Sequence, residues 1–135
     1  MVDKRKFECN HSFTVFPQDL NFSGSLFGGK VLAEMDIAAA KLTRRLLYKR
    51  DCDSYLTVSA NCEFHKSAKL GDIIKMNAVL KTIGRSSMGI SITVEREDLD
   101  GFIENIASGN FVFVSVKGGK STPHVISFGD EIIID

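Results

Sequence analysis

Along residues 5–16, Phe7, Cys9, His11, Phe13 and Val15 alternate with Glu8, Asn10, Ser12 and Thr14. That period of two predicts a half-buried strand, which Pro17 ends. A polar loop runs from Gln18 to Phe27. From Gly28 to about Tyr48 the apolar residues recur every three or four positions, the mark of an amphipathic helix. Wound at about 100° per residue, this helix gathers Lys30, Glu34, Lys41, Arg44 and Arg45 on one side. Val31, Leu32, Met35, Ala38, Ala39, Leu42 and Leu46 fall on the other, and Asp36 lies within that apolar arc beside Leu32 and Ala39.

After the helix the period of two returns four times. Leu56, Val58, Ala60, Cys62 and Phe64 alternate with Thr57, Ser59, Asn61 and Glu63. Ile74, Met76, Ala78 and Leu80 mark a second strand, and Met88, Ile90, Ile92 and Val94 a third. The last long strand runs from Ile106 to Val116, with Phe111 and Phe113 as its bulk. Turns are expected at Lys69 to Asp72, at Gly84, at Asp98-Leu-Asp-Gly101 and at Gly118-Gly119. The tail from Ser121 to Asp135 carries Val125, Ile126, Phe128 and Ile132 to Ile134, and is expected to pack against the body.

A strand, one long helix and four further strands predict an α+β layer architecture, one helix against a curved, mostly antiparallel five-stranded sheet. Ala33, Ala38, Ala39 and Ala40 are small enough for the sheet to curl closely around the helix. One helix covers only one sheet face. The edges and the other face are left to a second copy, so at least a homodimer is expected, with a site near the interface.

Composition narrows the function. The 135 residues, 44% hydrophobic, fit one domain spanning 1–135, with no linker or repeat. Seventeen basic residues balance seventeen acidic ones, which argues against a nucleic-acid partner. No apolar run is long enough to span a membrane, and no apolar segment follows the charged start as a secretory signal would require. Cys9, Cys52 and Cys62 have neither CxxC nor zinc spacing, so reduced thiols in a cytoplasmic protein are expected. His11, His65 and His124 are scattered without metal-ligand spacing, and there is no Gly-x-Ser-x-Gly elbow or Walker loop. No metal and no separate cofactor are expected.

Asp36 is the residue a merely stable helix would not place there. An ionised carboxylate withdrawn from water without partners costs several kcal/mol, so Asp36 needs a dedicated partner or a cavity in which its chemistry is used. Gly28-Gly29 opens the same helix, where the first amides lack intrahelical acceptors and glycine permits close backbone approach. Asn21 in the preceding loop reads either as a turn former or as a polar anchor. Gly84-Arg85-Ser86-Ser87 offers a flexible turn, one charge and two hydroxyls, while Lys66 and Lys69 read as solvated turn residues.

Asp19-Leu-Asn21-Phe-Ser-Gly24-Ser-Leu-Phe-Gly28-Gly29, followed by Glu34-Met35-Asp36-Ile-Ala-Ala, resembles the signature of hotdog-fold acyl-CoA thioesterases of the cytosolic acyl-CoA hydrolase type. Thr57-Val58, Phe64-His-Lys66, Leu70-Gly71-Asp72, Gly84-Arg85-Ser86-Ser87-Met88, Phe113-Val114-Ser-Val and Gly119-Lys-Ser-Thr-Pro123 agree with it, so the likeness covers about residues 10 to 123. The chain departs from the family at Ser67, where proline is frequent, at Leu20, where threonine is frequent, and in its tail.

The resemblance implies a hotdog core over about residues 8–123 and hydrolysis of acyl-CoA to coenzyme A and a carboxylic acid. It implies Asp36 as general base or nucleophile, Asn21 holding water or the thioester against the partner subunit's aspartate, and the Gly28 and Gly29 amides as oxyanion donors. It also implies Thr57 near the thioester, with Lys66, Arg85, Ser86 and Ser87 on the coenzyme A side, and assembly as a dimer or a trimer of dimers. A non-catalytic acyl-CoA sensor on the same fold would need the pocket but not the base, and retention of both Asp36 and Asn21 argues against it. A hotdog hydratase would want a histidine on the helix or its leading loop, where none occurs.

Overall fold

The computed structural model of the chain describes residues 2–3, 7–126 and 132–133. In chain order the elements are β1 (Val2–Asp3), β2 (Glu8–Thr14), a 3-10 turn (Pro17–Asp19), α1 (Gly28–Leu46), β3 (Ser54–Phe64), β4 (Ile73–Ile83), β5 (Ser87–Glu97), β6 (Ile103–Lys117), β7 (Lys120–Ser121) and β8 (Ile132–Ile133). The main sheet has the order β2-β4-β5-β6-β3 and is antiparallel throughout, with the two-residue β7 folded back on β6. The expected architecture, five strands curved around one helix, is therefore present with one short strand added. It is the hotdog arrangement.

The expected first strand is shorter than residues 5–16, and residues 5 and 6 lie outside the described residues, as do Phe128 and Ile134 of the tail. Part of the tail is accounted for: Ile132 and Ile133 pair with Asp3 and Val2 in a small sheet of their own. The helix stops two residues short of Tyr48, because Lys49 adopts a left-handed φ of 61° that cannot continue it. Arg44 and Arg45 in its last turn complement the helix dipole. The Asp98 turn forms as expected, with the Asp98 carboxylate accepting the amides of Asp100 and Phe102 at 2.9 and 3.0 Å.

The core lies between α1 and the concave face of the sheet. Val31, Met35, Ala38, Ala39, Leu42 and Leu46 face Ile74, Met76, Ala78 and Leu80 of β4, Met88, Ile90, Ile92 and Val94 of β5, and Ala107, Phe111 and Phe113 of β6. Each large side chain so buried contributes about 1.5–3 kcal/mol.

The apolar arc of α1 is narrower than its sequence suggests. Leu32 is 38% exposed and Ile37 45%, and Asp36 between them is half-buried rather than enclosed by apolar neighbours. The cause is topological: β3 ends the sheet, so among the described residues nothing lies beyond the helix flank that leans toward it. Leu56, Val58 and Phe64 of β3 are each more than half exposed.

β3 also departs from simple alternation. Thr57 pairs with Phe113 and Ser59 with Val112, which leaves Val58 as an extra residue in a β-bulge. A bulge reverses the facing of the residues on either side of it. Tyr55 and Thr57 before it, and Cys62 and Phe64 after it, all touch the helix side: Tyr55 packs on Phe113 with ring centroids 6.0 Å apart, and Cys62 Sγ lies 3.4 Å from Met35 Sδ. The expectation that Leu56 and Val58 share a face with Cys62 and Phe64 is thus corrected. Cys9, Cys52 and Cys62 are free thiols, and burial above all pushes those of Cys52 and Cys62 up.

Candidate active site

The loop ahead of α1 is organised by Asn21. Its side-chain carbonyl accepts the amides of Ser23 (2.9 Å) and Ser25 (3.1 Å), while its backbone amide donates to Ser25 (2.7 Å). Both Oδ1 lone pairs are engaged, so Asn21 can offer a ligand only the Nδ2 donor, not the donor and acceptor expected of it. That Nδ2 has no partner among the described residues.

The helix start is free in the same sense. Lys30 and Val31 amides both turn back to the Phe27 carbonyl (3.0 and 3.3 Å), whereas the Gly28 and Gly29 amides have no acceptor among the described residues. A Cβ on Gly29 would stand 2.3 Å from the ring of Phe27, so only glycine admits that ring there. The Phe64 ring lies over Gly28 at ordinary contact distance, 3.6 Å from where a Cβ would be. Asn21, Gly28 and Lys66 share the wall of a groove of about 380 Å³, whose apolar lining includes Leu26, Val31, Phe64, Ala68, Ile106 and Ala107.

Lys66 is less free than a solvated turn residue. It pairs with Glu104, which also takes Arg96, and the guanidinium of Arg96 in turn holds the Ser67 carbonyl. The Lys66 hydrogen bond above all holds the Glu104 carboxyl below its ordinary range. Lys66 and Arg96 thus share the Glu104 carboxylate at this end of the groove, with the Asp98 carboxylate opposing them. Phe64 entered the sequence reading only as a strand residue and as part of the Phe64-His-Lys66 segment, without a site role, and Glu104 was not singled out at all.

Asp36 belongs to a different cluster. The Thr57 hydroxyl donates to Asp36 Oδ1 at 3.0 Å, and Oδ2 has no partner among the described residues. The Val58 bulge is what turns Thr57 toward the helix. On the neighbouring flank of α1, Lys30 (2.8 Å) and the Nε2–H of His11 (2.6 Å) bond Glu34, while Lys41 donates to His11 Nδ1 at 2.7 Å. Burial alone would raise the Glu34 carboxyl, but the bonds from Lys30 and His11 outweigh it and hold it below its ordinary value. This network fixes the helix against β2 beside the candidate site.

Sheet register orders these clusters. Thr57, Phe113 and Met88 form one row across β3, β6 and β5, so the Gly84–Ser87 turn lies at the Asp36–Thr57 end of the sheet. Two strand spacings, about 10 Å, separate it from Thr57. Arg85 is exposed and Ser86 and Ser87 half-buried. Phe64, Ala107 and Val94 form the row at the other end, with the groove. Gly28 and Asp36 are eight residues apart on α1, about 12 Å along its axis at 1.5 Å per residue. Within one protomer, Asn21, Gly28, Gly29 and Lys66 therefore form one half-site and Asp36, Thr57 and the Arg85–Ser87 turn another. Asp36 thus stands off from Asn21 and the helix start of its own chain, in keeping with the expectation that Asn21 works against the partner subunit's aspartate.

A sequence profile described as the thioesterase superfamily matches residues 23–102, more than half of the chain and inclusive of Gly28, Gly29, Asp36, Thr57 and Arg85. The chain belongs to the thioesterase superfamily. Over 79 residues this superfamily member is 35% identical to an uncharacterized acyl-CoA thioester hydrolase of Buchnera aphidicola, a match covering 58% of the chain and 56% of that protein. The matched part spans about half the length of the first curated relatives. Among solved structures, an acyl-CoA hydrolase from Staphylococcus aureus in complex with butyryl coenzyme A superimposes with a TM-score of 0.77 and 28% identity, over 86% of this chain and 70% of that one. A hexameric thioesterase from Yersinia pestis gives a TM-score of 0.78 and 25% identity, over 87% of this chain and 94% of that one. Among the described residues, no helix of this thioesterase-superfamily chain is long and apolar enough to cross a membrane.

Proposed function

We propose that the chain hydrolyses acyl-CoA thioesters to coenzyme A and a carboxylic acid, in a site completed by two protomers. One observation carries this reading: the two half-sites lie at opposite ends of β3, whose outer edge pairs with no other strand among the described residues. An antiparallel β3–β3 pair about a two-fold axis near mid-strand sets the Phe64 end of one protomer against the Thr57 end of the other. It joins the groove with Asn21 and Gly28 to the partner's pair of aspartate and threonine. The pairing also covers the exposed Leu56 and Val58 and removes an edge that would otherwise template aggregation. The hexameric relative supports further assembly of such pairs into a trimer of dimers.

In the joined site the thioester carbonyl meets three donors with no partner among the described residues: the Gly28 and Gly29 amides and Asn21 Nδ2. One such donor is worth about a hundred- to a thousandfold in rate. Asp36 keeps Oδ2 free while Thr57 holds Oδ1. Its carboxylate takes a proton from water, the hydroxide adds to the carbonyl carbon, and the carbon–sulfur bond breaks as the proton passes to the departing thiolate. Arg85, Ser86 and Ser87, about 10 Å from Thr57, are placed to receive the phosphate-bearing end of coenzyme A, and the apolar groove the acyl chain. The butyryl coenzyme A held by the Staphylococcus aureus enzyme supports this substrate class. Three free thiols fit a reducing cytoplasm.

Thiol release measured on acyl-CoAs of increasing chain length tests the reading. Turnover of at least one is expected, with a loss of about 10²–10⁴-fold in Asp36→Ala. No turnover of any, or an unaffected Asp36→Ala, overturns it.

A further inference from the structure

His124 is the one buried histidine among the described residues, 2% exposed, and the proposed mechanism does not use it. Its Nε2–H donates to the Ser87 carbonyl at 2.9 Å, and its Nδ1 accepts the Ile126 amide at 2.9 Å. These two bonds fix the ring as the neutral tautomer protonated on Nε2. Its backbone amide donates to the Arg85 carbonyl at 3.3 Å. The remaining carbonyl of the turn, that of Ser86, accepts the Ser115 amide at 2.9 Å. Ser115 is itself tied to the tail, its hydroxyl donating to Thr122 at 2.6 Å and its carbonyl accepting the Thr122 amide at 3.0 Å. All three carbonyls of Arg85–Ser87 are thus held: Arg85 by the His124 amide, Ser86 by Ser115, and Ser87 by the His124 ring together with the Gly84 amide across the turn at 2.9 Å. The Arg85 side chain has no partner among the described residues.

The tail adopts an unfavourable shape to make these bonds. Val125 has a φ of 60°, a left-handed conformation that a β-branched residue adopts only where its surroundings over-determine it. Here Arg50 donates to the Val125 carbonyl at 2.8 Å, Ile126 is buried, and the Ile126 amide reaches back to His124. The strained residue is what returns that amide to the ring.

We propose that His124 is a positioning residue for coenzyme A: it holds the Arg85–Ser87 turn in the conformation that presents Arg85 and the two serine hydroxyls to the ligand's phosphates. This rests on the reading of that turn as the coenzyme A contact. His124 touches no substrate, so its loss weakens binding and leaves the chemical step intact.

The test measures the coenzyme A Kd by calorimetry, with kcat and KM for a short acyl-CoA, on the full chain. His124→Phe keeps the bulk and loses both ring hydrogen bonds; it should raise Kd and KM about tenfold, with kcat within about twofold. His124→Gln, which retains an N–H for the Ser87 carbonyl, should recover most of that loss. Arg85→Ala should weaken binding comparably, and adding it to His124→Phe should cost little more. Hydrolysis with a Kd and KM indifferent to His124 overturns this inference alone. Binding of coenzyme A that depends on His124, without hydrolysis of any thioester, overturns the hydrolase reading alone. Neither binding nor hydrolysis overturns both. Should His124→Phe not fold, the wild-type ring decides: coenzyme A that shifts the Arg85 resonances must shift the His124 ring nitrogens too, and a silent His124 ring refutes the coupling.

Discussion

Thr57 donates its hydroxyl to Asp36 Oδ1 at 3.0 Å, and it points that way because Val58 is an extra residue in β3. The bond fixes one carboxylate oxygen and leaves the other for water. Thr57→Val keeps the branched shape and removes only the hydroxyl. A hydrogen bond to a charged group is worth about 1.5–3 kcal/mol, so kcat should fall about ten- to a hundredfold with little change in melting temperature. An unchanged kcat would mean that the pair has no part in the reaction.

Asn21 has two separable duties. Its carbonyl orders the loop through Ser23 and Ser25, and the residue lines the groove with its Nδ2 unpartnered among the described residues. Asn21→Asp preserves the acceptor and replaces the donor, so the fold should hold while the rate drops about a hundred- to a thousandfold. Asn21→Ala removes both duties and should lower stability by about 1–3 kcal/mol as well, because two loop amides lose their acceptor. Chemical denaturation beside steady-state kinetics separates the two outcomes.

Glu34 gives the fold an acid sensitivity of definite sign. Its carboxyl is held below the ordinary value of 4.5 in the folded chain, against the opposing effect of burial, by Lys30 and His11. Between the folded and unfolded values the unfolded chain binds more protons, so stability increases with pH there. The contribution is fully present above about pH 4.5 and is lost as the pH falls through the depressed folded value. Glu34→Gln should flatten the stability profile below pH 4.5, as followed by denaturant midpoints; a profile as steep as the wild type's would refute it.

Val125 should be replaceable with profit. Glycine removes a left-handed penalty of about 1–2 kcal/mol for a residue with a Cβ and adds about 0.5–1 kcal/mol of backbone entropy cost. Val125→Gly should therefore raise the melting temperature by a few degrees, at roughly 3–5 °C per kcal/mol for a chain between the small- and large-domain ranges. Val125→Ala, which keeps a Cβ, should gain less.

The strands and helix were legible because their buried faces follow periods of two and 3.6, which β4 keeps from Ile74 to Leu80, β5 from Met88 to Val94, and α1 along its inner face. β3 was misread at its start because a bulge carries no signature in alternation: Leu56 and Val58 are as apolar as Cys62 and Phe64, yet the extra residue turns them outward. Asp36 stood out in the sequence as a carboxylate on the apolar arc. Its environment was not legible, since Leu32 and Ile37 beside it are exposed among the described residues, which helical periodicity does not reveal. The resemblance set Asn21 against the partner subunit's aspartate, and helix geometry agrees that Asp36 stands off from the Gly28 amides of its own chain, since eight residues span roughly 12 Å. The hold of His124 on the Arg85 turn joins residues 37 positions apart, which no local pattern reveals.

The central claim is that the catalytic site is shared between protomers, and subunit complementation tests it most directly. Asn21→Asp and Asp36→Ala chains, each inactive alone, are mixed under conditions of subunit exchange verified with two distinct tags. Random pairing makes half of the dimers mixed, and each mixed dimer has one site carrying both substitutions and one site carrying neither. Activity should return to about a quarter of the wild-type level, as the two-fold geometry requires. Complete exchange with no recovered activity would contradict a shared site and return Asn21 and Asp36 to separate roles within one chain.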